Sequence, residues 1–258
     1  VAETRQDWSV DFQNIALQSD TFPVEGTDLT LPEGQLSVRL TEEGRTEFNL
    51  TTPSSTLLTP AYRVRDMALS AEGTAEQYRL NFSGGRIRVV PLTEDGPPIP
   101  VLSASGDLNF VDGRFRGTAE TYLPQVPDNP LRIDYRLIDG RGEANVAIRN
   151  LRFRPGGLQP QDLATALRGK VARVDGAIDA DLTIGFGGDA PLSGTGLVEI
   201  RNMSLGTAPG PVTGLSGTIA LTSRFPVITA PDQTLQIGSF DPGIPLLDGT
   251  LTYALVSD

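Results

Sequence analysis

Leu182, Ile184 and Phe186 alternate with Asp181, Thr183 and Gly185, and this period of two is the dominant signal in the chain. Successive side chains of a β-strand point to opposite faces, so the alternation specifies strands with one apolar and one polar side. The pattern recurs in Ala144, Val146 and Ile148, and in Ile219 and Leu221 of GTIALT. It recurs again in Phe48 and Leu50 of TEFNLT and in Ile133, Tyr135 and Leu137 of RIDYRL. Turn-forming stretches separate the runs: FSGG, TEDGPP, VDGR, IDGRG, GFGGDAP, TAPGP and FDPG. With 28 glycines and 20 prolines, the chain is interrupted too often for long helices. About a dozen strands are expected.

One segment departs from the pattern. In QPQDLATALRG, residues 159–169, Leu163 and Leu167 lie four apart, Pro160 and Asp162 occupy a first turn, and Gly169 can end a helix. A short helix that covers an edge or plugs an end is expected there.

A six-residue motif appears four times, as FQNIAL around Asn14, VRDMAL around Asp66, IRNLRF around Asn150 and IRNMSL around Asn202. Its form is apolar, any, Asn or Asp, apolar, any, apolar. The central positions are 52, 84 and 52 residues apart, which suggests internal duplication. Physically the motif is a change of parity: Val146 and Ile148 have one, Leu151 and Phe153 the other. Either the strand crosses between two cores at Asn150, or a β-bulge returns the apolar side chains to one side and bends the strand. Asn and Asp tolerate the backbone angles a bulge needs. Asn14, Asp66, Asn150 and Asn202 are therefore the expected bulge positions.

Few classes of chemistry remain open. Cysteine and histidine are absent, which removes disulfides, thiolate nucleophiles, zinc sites built on those residues, and histidine as a general base. No G-x-S-x-G elbow, P-loop or dinucleotide fingerprint occurs. No cofactor or metal is called for. A net charge of −11 repels nucleic-acid phosphates and anionic membrane faces. Asp179 and Asp181 share a strand face and could act as an acid–base pair on a glycoside; the alternative is the solvated side of a strand whose other side is Leu182, Ile184 and Phe186. An outer-membrane barrel would need aromatic girdles, for which one Trp and five Tyr are few. No apolar run is long enough to span a membrane as a helix. The chain starts at VAETRQDW without a Met and reads as a section of a longer protein.

From about Arg168 onward, RGKVARVDGAIDADLTIGF is followed by SGTGLVEIRNMSLGTAPGPVTGLSGTIALTS and then by ITAPDQTLQIGSFDPGIPLLDGTLTYAL. This order resembles the C-terminal region of the YdbH-type branch of AsmA-like proteins of Gram-negative bacteria. The resemblance rests on the Gly-x-Ile-x-x-x-Leu strand, the Gly-Leu-Ser-Gly strand, the Thr-x-Pro-x-Gln-x-Leu-x-Ile segment and the Gly-Ile-Pro-Leu turn. It implies a long β-sheet trough in the periplasm that carries phospholipid between the inner and outer membranes. It also implies an N-terminal inner-membrane anchor and, at the far end, a small outer-membrane lipoprotein. The final strand, in LLDGTLTYALVSD, is the expected docking edge.

The expected fold is all-β: one elongated, curved, mostly antiparallel sheet, trough-like or closing to a barrel or sandwich, with one short helix. It forms a single domain over 1–258, divisible into sub-repeats 1–157 and 170–258 joined by the helix at 159–169. Val146, Ile148, Leu182, Ile184, Phe186, Val198, Ile200, Ile219 and Leu221 are the candidate groove-lining residues. The same residues could close on one another as an ordinary core, and a structural or adhesive β-solenoid without lipid is the alternative function.

Overall fold

The computed structural model describes residues 6–17, 27–41, 44–59, 62–92, 101–123, 126–138, 141–163, 168–187, 193–224 and 227–256. Among the described residues, seventeen strands are hydrogen-bonded into one sheet. Every pair with a described register is antiparallel. The fold is thus all-β and antiparallel, as the alternation requires. The strand number exceeds the dozen expected because some strands have only three or four residues, too few to display a period.

The chain packs as two units, Val1–Thr121 with Asp134–Gly142, and Tyr122–Ile133 with Glu143–Asp258. The first contains β1 (Gln6–Leu17), β2 (Asp28–Leu40), β3 (Thr46–Thr52), β4 (Thr56–Leu58), β5 (Tyr62–Arg65), β6 (Ala68–Gly73), β7 (Gln77–Pro91) and β8 (Leu102–Val111). Next in the chain come β9 (Arg114–Leu123), β10 (Val126–Ile138) and β11 (Arg141–Phe153). After α1 (Pro160–Leu163), the second unit continues with β12 (Ala172–Gly187), β13 (Ser193–Gly206), β14 (Pro211–Arg224), β15 (Val227–Thr229), β16 (Gln233–Phe240) and β17 (Leu246–Tyr253).

Each unit has its own core. In the first, Leu29, Leu31, Met67, Leu69 and Ile87 are buried, with Phe12, Ile15, Leu17, Val64 and Phe82 packed on them. In the second, Leu123, Leu151, Phe153, Leu158, Val174 and Met203 are buried, with Ile148, Leu163, Ile200 and Leu205 packed on them.

The four motif positions all take positive φ: Asn14 57°, Asp66 68°, Asn150 50° and Asn202 45°. This is the left-handed region, costly for most residues and least so for Gly, Asn and Asp. At each one the flanking apolar residues of opposite parity reach the same core. Phe12 joins Ile15 and Leu17, and Val64 joins Met67 and Leu69. Ile148 joins Leu151 and Phe153, and Ile200 joins Met203 and Leu205. The β13–β14 register shifts between Ile200 and Met203, around Asn202. Asn14 is different on its β2 side, where pairing runs unshifted from Gln13–Glu33 to Ile15–Leu31. Asp66 lies in the bend between β5 and β6.

A left-handed residue turns its amide out of the regular ladder, and two of these amides find side-chain acceptors on the adjacent strand. Asn150 N donates to Asp179 Oδ1 at 2.6 Å, and Asn202 N donates to Ser216 Oγ at 2.9 Å.

The helix expected over 159–169 is present as the single turn of α1. Residues 164–167 lie outside the described residues, and 168–170 form a turn. Gln159 N donates to Asp162 Oδ2, half of a capping box at the start of α1. The Gln159 side chain is buried and fully used. Its Nε2 donates to Arg154 O, Leu158 O and Val174 O, and its Oε1 accepts from Val174 N. These bonds tie the segment to β12 and hold Leu158, only 2% exposed, against the second core.

Replacing Asn202 by Val should cost about 1–2 kcal/mol, because a β-branched residue is forced into left-handed geometry. Asn202→Gly should be close to neutral. Urea unfolding followed by circular dichroism compares them; equal midpoints for the two variants would remove backbone strain as the reason for Asn at this position.

Candidate functional site

The first unit aligns its apolar residues in rows that cross six strands. Trp8 pairs with Val38, Val38 with Phe48, Phe48 with Gly73, Gly73 with Tyr78 and Tyr78 with Phe110. Two residues further along each strand the next row runs Val10, Leu36, Leu50, Ala71, Leu80 and Leu108. The third row includes Phe12 opposite Gly34, and Leu69, Phe82 and Gly106 in succession. Residues of the other parity are polar: Asp11, Gln35, Thr51, Ser70, Asn81 and Asp107 form one such row. Period-two alternation and antiparallel register therefore produce a broad apolar face with a polar back.

The first row is aromatic in its middle. The Tyr78 ring stacks on Phe110 with centroids 4.8 Å apart, and Phe110 lies 4.7 Å from Phe115. Burial pushes the Tyr78 phenol above its ordinary pKa. Glycine in the third row lets rings lie across the neighbouring strand. A Cβ on Gly34 would meet the Phe12 ring at 2.5 Å, and one on Gly106 the Phe82 ring at 2.6 Å.

The rows differ in exposure. Trp8 and Val10 are 51% and 59% exposed, whereas Leu69 is 7% and Leu31 1%. A cavity of about 1400 Å³ opens at the strand ends beside the first row. Its apolar lining includes Trp8, Val38, Phe48, Tyr78, Phe110 and Val111, and its charged lining includes Asp7, Arg39, Arg45, Glu47, Glu72, Glu76, Arg79 and Asp112. The volume exceeds the roughly 300–1,000 Å³ of drug-sized pockets.

In the second unit the register brings several of the sequence-derived candidates together. Ala180, Val198 and Ile219 form one row across β12, β13 and β14, and Leu182, Gly196 and Leu221 form the next. Ile184 lies opposite Gly194. Ile200 lies between Ile178 and Gly217, and both Ile148 and Ile200 pack against the closed core. Val146, Leu182, Ile184, Val198, Ile219 and Leu221 are half-buried. The Phe186 side chain lies outside the described ones.

The sequence reading selected no first-unit residue as a groove candidate. The alternation was visible at Phe48 and Leu50, but the row depends on register across strands far apart in sequence, as Trp8 and Phe110 show.

Asp179 and Asp181, the carboxylates with acid–base potential, are engaged in joining strands. Asp179 accepts the Asn150 amide and pairs with Arg201 at 2.5 Å. Asp181 pairs with Arg149, which also donates to Ala180 O. The bond to Asp181 raises the Arg149 pKa. Arg201 reaches Asn150 Oδ1 as well, so Asp179 lies at the junction of the bends in β11 and β13.

No helix among the described residues is long and apolar enough to cross a membrane. The sequence matches the family described as YdbH-like, intermembrane phospholipid transport protein YdbH, over residues 4–258. Neither a curated protein nor a solved structure matches.

Asp179→Ala should destabilise the chain by about 1–3 kcal/mol, because an amide and a guanidinium lose their shared acceptor. Asp181→Ala, at an exposed pair, should leave the urea midpoint near that of the parent. Equal losses in the two variants would contradict the structural role assigned to Asp179.

Proposed function

The chain belongs to the YdbH-like family of intermembrane phospholipid transport proteins, and on that premise we propose that it works without catalysis, as a periplasmic section of a bridge that carries phospholipid along apolar strand faces. The observation that carries this reading is the row structure of the first unit, a wide apolar face whose outer row borders an open cavity while its inner rows pack onto the core. The half-buried rows of the second unit support it: Val146, Leu182, Ile184, Val198, Ile219 and Leu221 are the proposed lining there.

The energetics explain why a surface is sufficient. Two acyl chains carried through water expose on the order of thirty methylenes at about 0.8 kcal/mol each, more than roughly 20 kcal/mol. A continuous apolar face removes that penalty without any reacting group. The full-length protein is proposed to be held at the inner membrane by an anchor. The duplicated motif supports reading 1–157 and 170–258 as sub-repeats.

At the other end we place a partner. In β17, Leu246, Leu247 and Leu251 are exposed. β17 pairs with β16 from Leu246 to Tyr253. An unpaired strand edge recruits another strand. A small outer-membrane lipoprotein that adds a strand to β17 is the proposed occupant. Backbone amide shifts of 246–253 that stay unchanged when a strand peptide from that lipoprotein is added would remove this assignment.

Native mass spectrometry after incubation with phospholipid vesicles, followed by organic extraction, tests the main reading. Bound phospholipid is expected, and Ile184→Asp should reduce it while circular dichroism stays that of the parent. A protein that remains bare would favour the packed β-solenoid. A variant that unfolds would show that Ile184 is part of a closed core.

A further inference from the structure

We propose that the polar back of the first unit carries a binding site for a phosphate monoester, in a hollow beside Asp66 that is bordered by Arg65, Arg86 and Arg88. The site lies on the face opposite the apolar rows, and its ligand does not use them.

Register brings the arginines together. Tyr62–Arg65 of β5 pairs with Arg88–Pro91 of β7, which sets Arg65 directly opposite Arg88. Their neighbours Val64, Ile87 and Val89 belong to the core face, so Arg65, Arg86 and Arg88 lie on the other side. Like charges directly opposite each other on a sheet repel. One carboxylate answers them, as Asp66 Oδ2 accepts from Arg88 Nε at 2.7 Å. That bond, with the charges of Arg88 and Arg65, holds the Asp66 carboxyl below its ordinary pKa. Among the described residues, Arg65 and Arg86 form no ion pair. Three guanidinium groups against one carboxylate leave a local excess of two positive charges. The chain as a whole carries −11, but salt screens exposed charges beyond about 8 Å, so a small anion meets the local excess.

The hollow has a volume of about 470 Å³, and its lining includes Asp66, Ala68, Ser83, Gly84, Gly85 and Ala104. Ala68 faces Ser83 in the row beyond Ser70 and Asn81, which places the hollow on the polar back. Arg65 and Arg86 adjoin the lining residues Asp66 and Gly85 in the chain, and Arg88 is bonded to Asp66. A Cβ on Gly85 would meet nothing within 4 Å. The registers of β7 skip Gly85 and Arg86 on both sides, which leaves backbone groups there outside the ladder. The left-handed Asp66 differs from Asn150 and Asn202 as well. Their amides have side-chain acceptors, whereas among the described residues none is present for Asp66 N. A phosphate monoester suits these donors. Its charge of about −1.5 to −2 at neutral pH matches the local excess, and its oxygens accept from several guanidinium and amide groups at once.

The test is a titration with glycerol 3-phosphate, followed by calorimetry and by backbone amide shifts. Saturable binding is expected, with shifts at Asp66, Gly84, Gly85 and Arg86. Arg65 and Arg86 are exposed, so Arg65→Gln combined with Arg86→Gln spares the core and should weaken binding about tenfold or more. Asp66→Asn should tighten it about threefold or more, because the competing carboxylate is gone while Asn keeps the left-handed backbone. No saturable binding, or binding unchanged in the double variant, overturns the site. Sedimentation with phosphatidylcholine vesicles, with and without phosphatidic acid, identifies the source of the phosphate. Retention gained with phosphatidic acid and lost in the double variant supports the site and assigns it to a lipid headgroup. Glycerol 3-phosphate binding without that gain supports the site and assigns it to a soluble ester. None of these results bears on the apolar face, so the site and the lipid-carrying reading stand or fall separately.

Discussion

A long strand that keeps one face apolar has to reconcile two requirements. Its side chains alternate strictly, yet the sheet has to bend to enclose anything. A single left-handed residue meets both: it bends the strand and returns the next apolar side chain to the inner side. The cost is a backbone amide turned out of the ladder, and an unpaired amide away from water is expensive. Asp179 and Ser216 remove that cost at Asn150 and Asn202 from the adjacent strands. The residues that face one another across each unit depend on these bends. Without them Leu151 and Phe153 would point to the opposite side from Ile148, and the second core would not close.

Much of this was legible in the sequence because it is local. Alternation specifies strands, and the antiparallel all-β fold follows from alternation with short turns. The parity change at the Asn/Asp motif required a decision between a bulge and a crossing strand, which local information leaves open. What decides it is tertiary: at each motif, both parities reach one core. The helix at 159–169 was read from spacing alone, whereas the described turn is organised by Gln159, a polar residue buried among backbone partners that no periodicity indicates. The first-unit face was beyond the sequence for a similar reason. Phe48 and Leu50 announce a strand, but Trp8 meets Phe110 in one row only through five successive registers.

Asp179 illustrates a different limit. Two carboxylates two residues apart on a strand satisfy the spacing rule for acid–base work, and the sequence offers no way to see what faces them. In the fold, one carboxylate accepts the amide of a bend and both lie against guanidinium groups. The same residue types that mark a catalytic pair elsewhere serve here to fasten bent strands together.

The balance between packed and open regions bears on how such a face can move a lipid. A fully enclosing pocket would bind an acyl chain about as strongly as burial allows and release it slowly. A face whose outer row is half exposed, as at Trp8 and Val10, covers the chain incompletely. A lipid that leaves a bilayer for such a face exchanges hydrocarbon for protein of similar polarity, so most of the large transfer energy cancels. What remains is set by how much of the chain stays wet. Glycines opposite Phe12 and Phe82 flatten the surface, so few side chains project to catch a moving tail. Transport between membranes needs a path on which neither end is strongly preferred, and a smooth, partly open apolar face comes nearer to that condition than a tight site would.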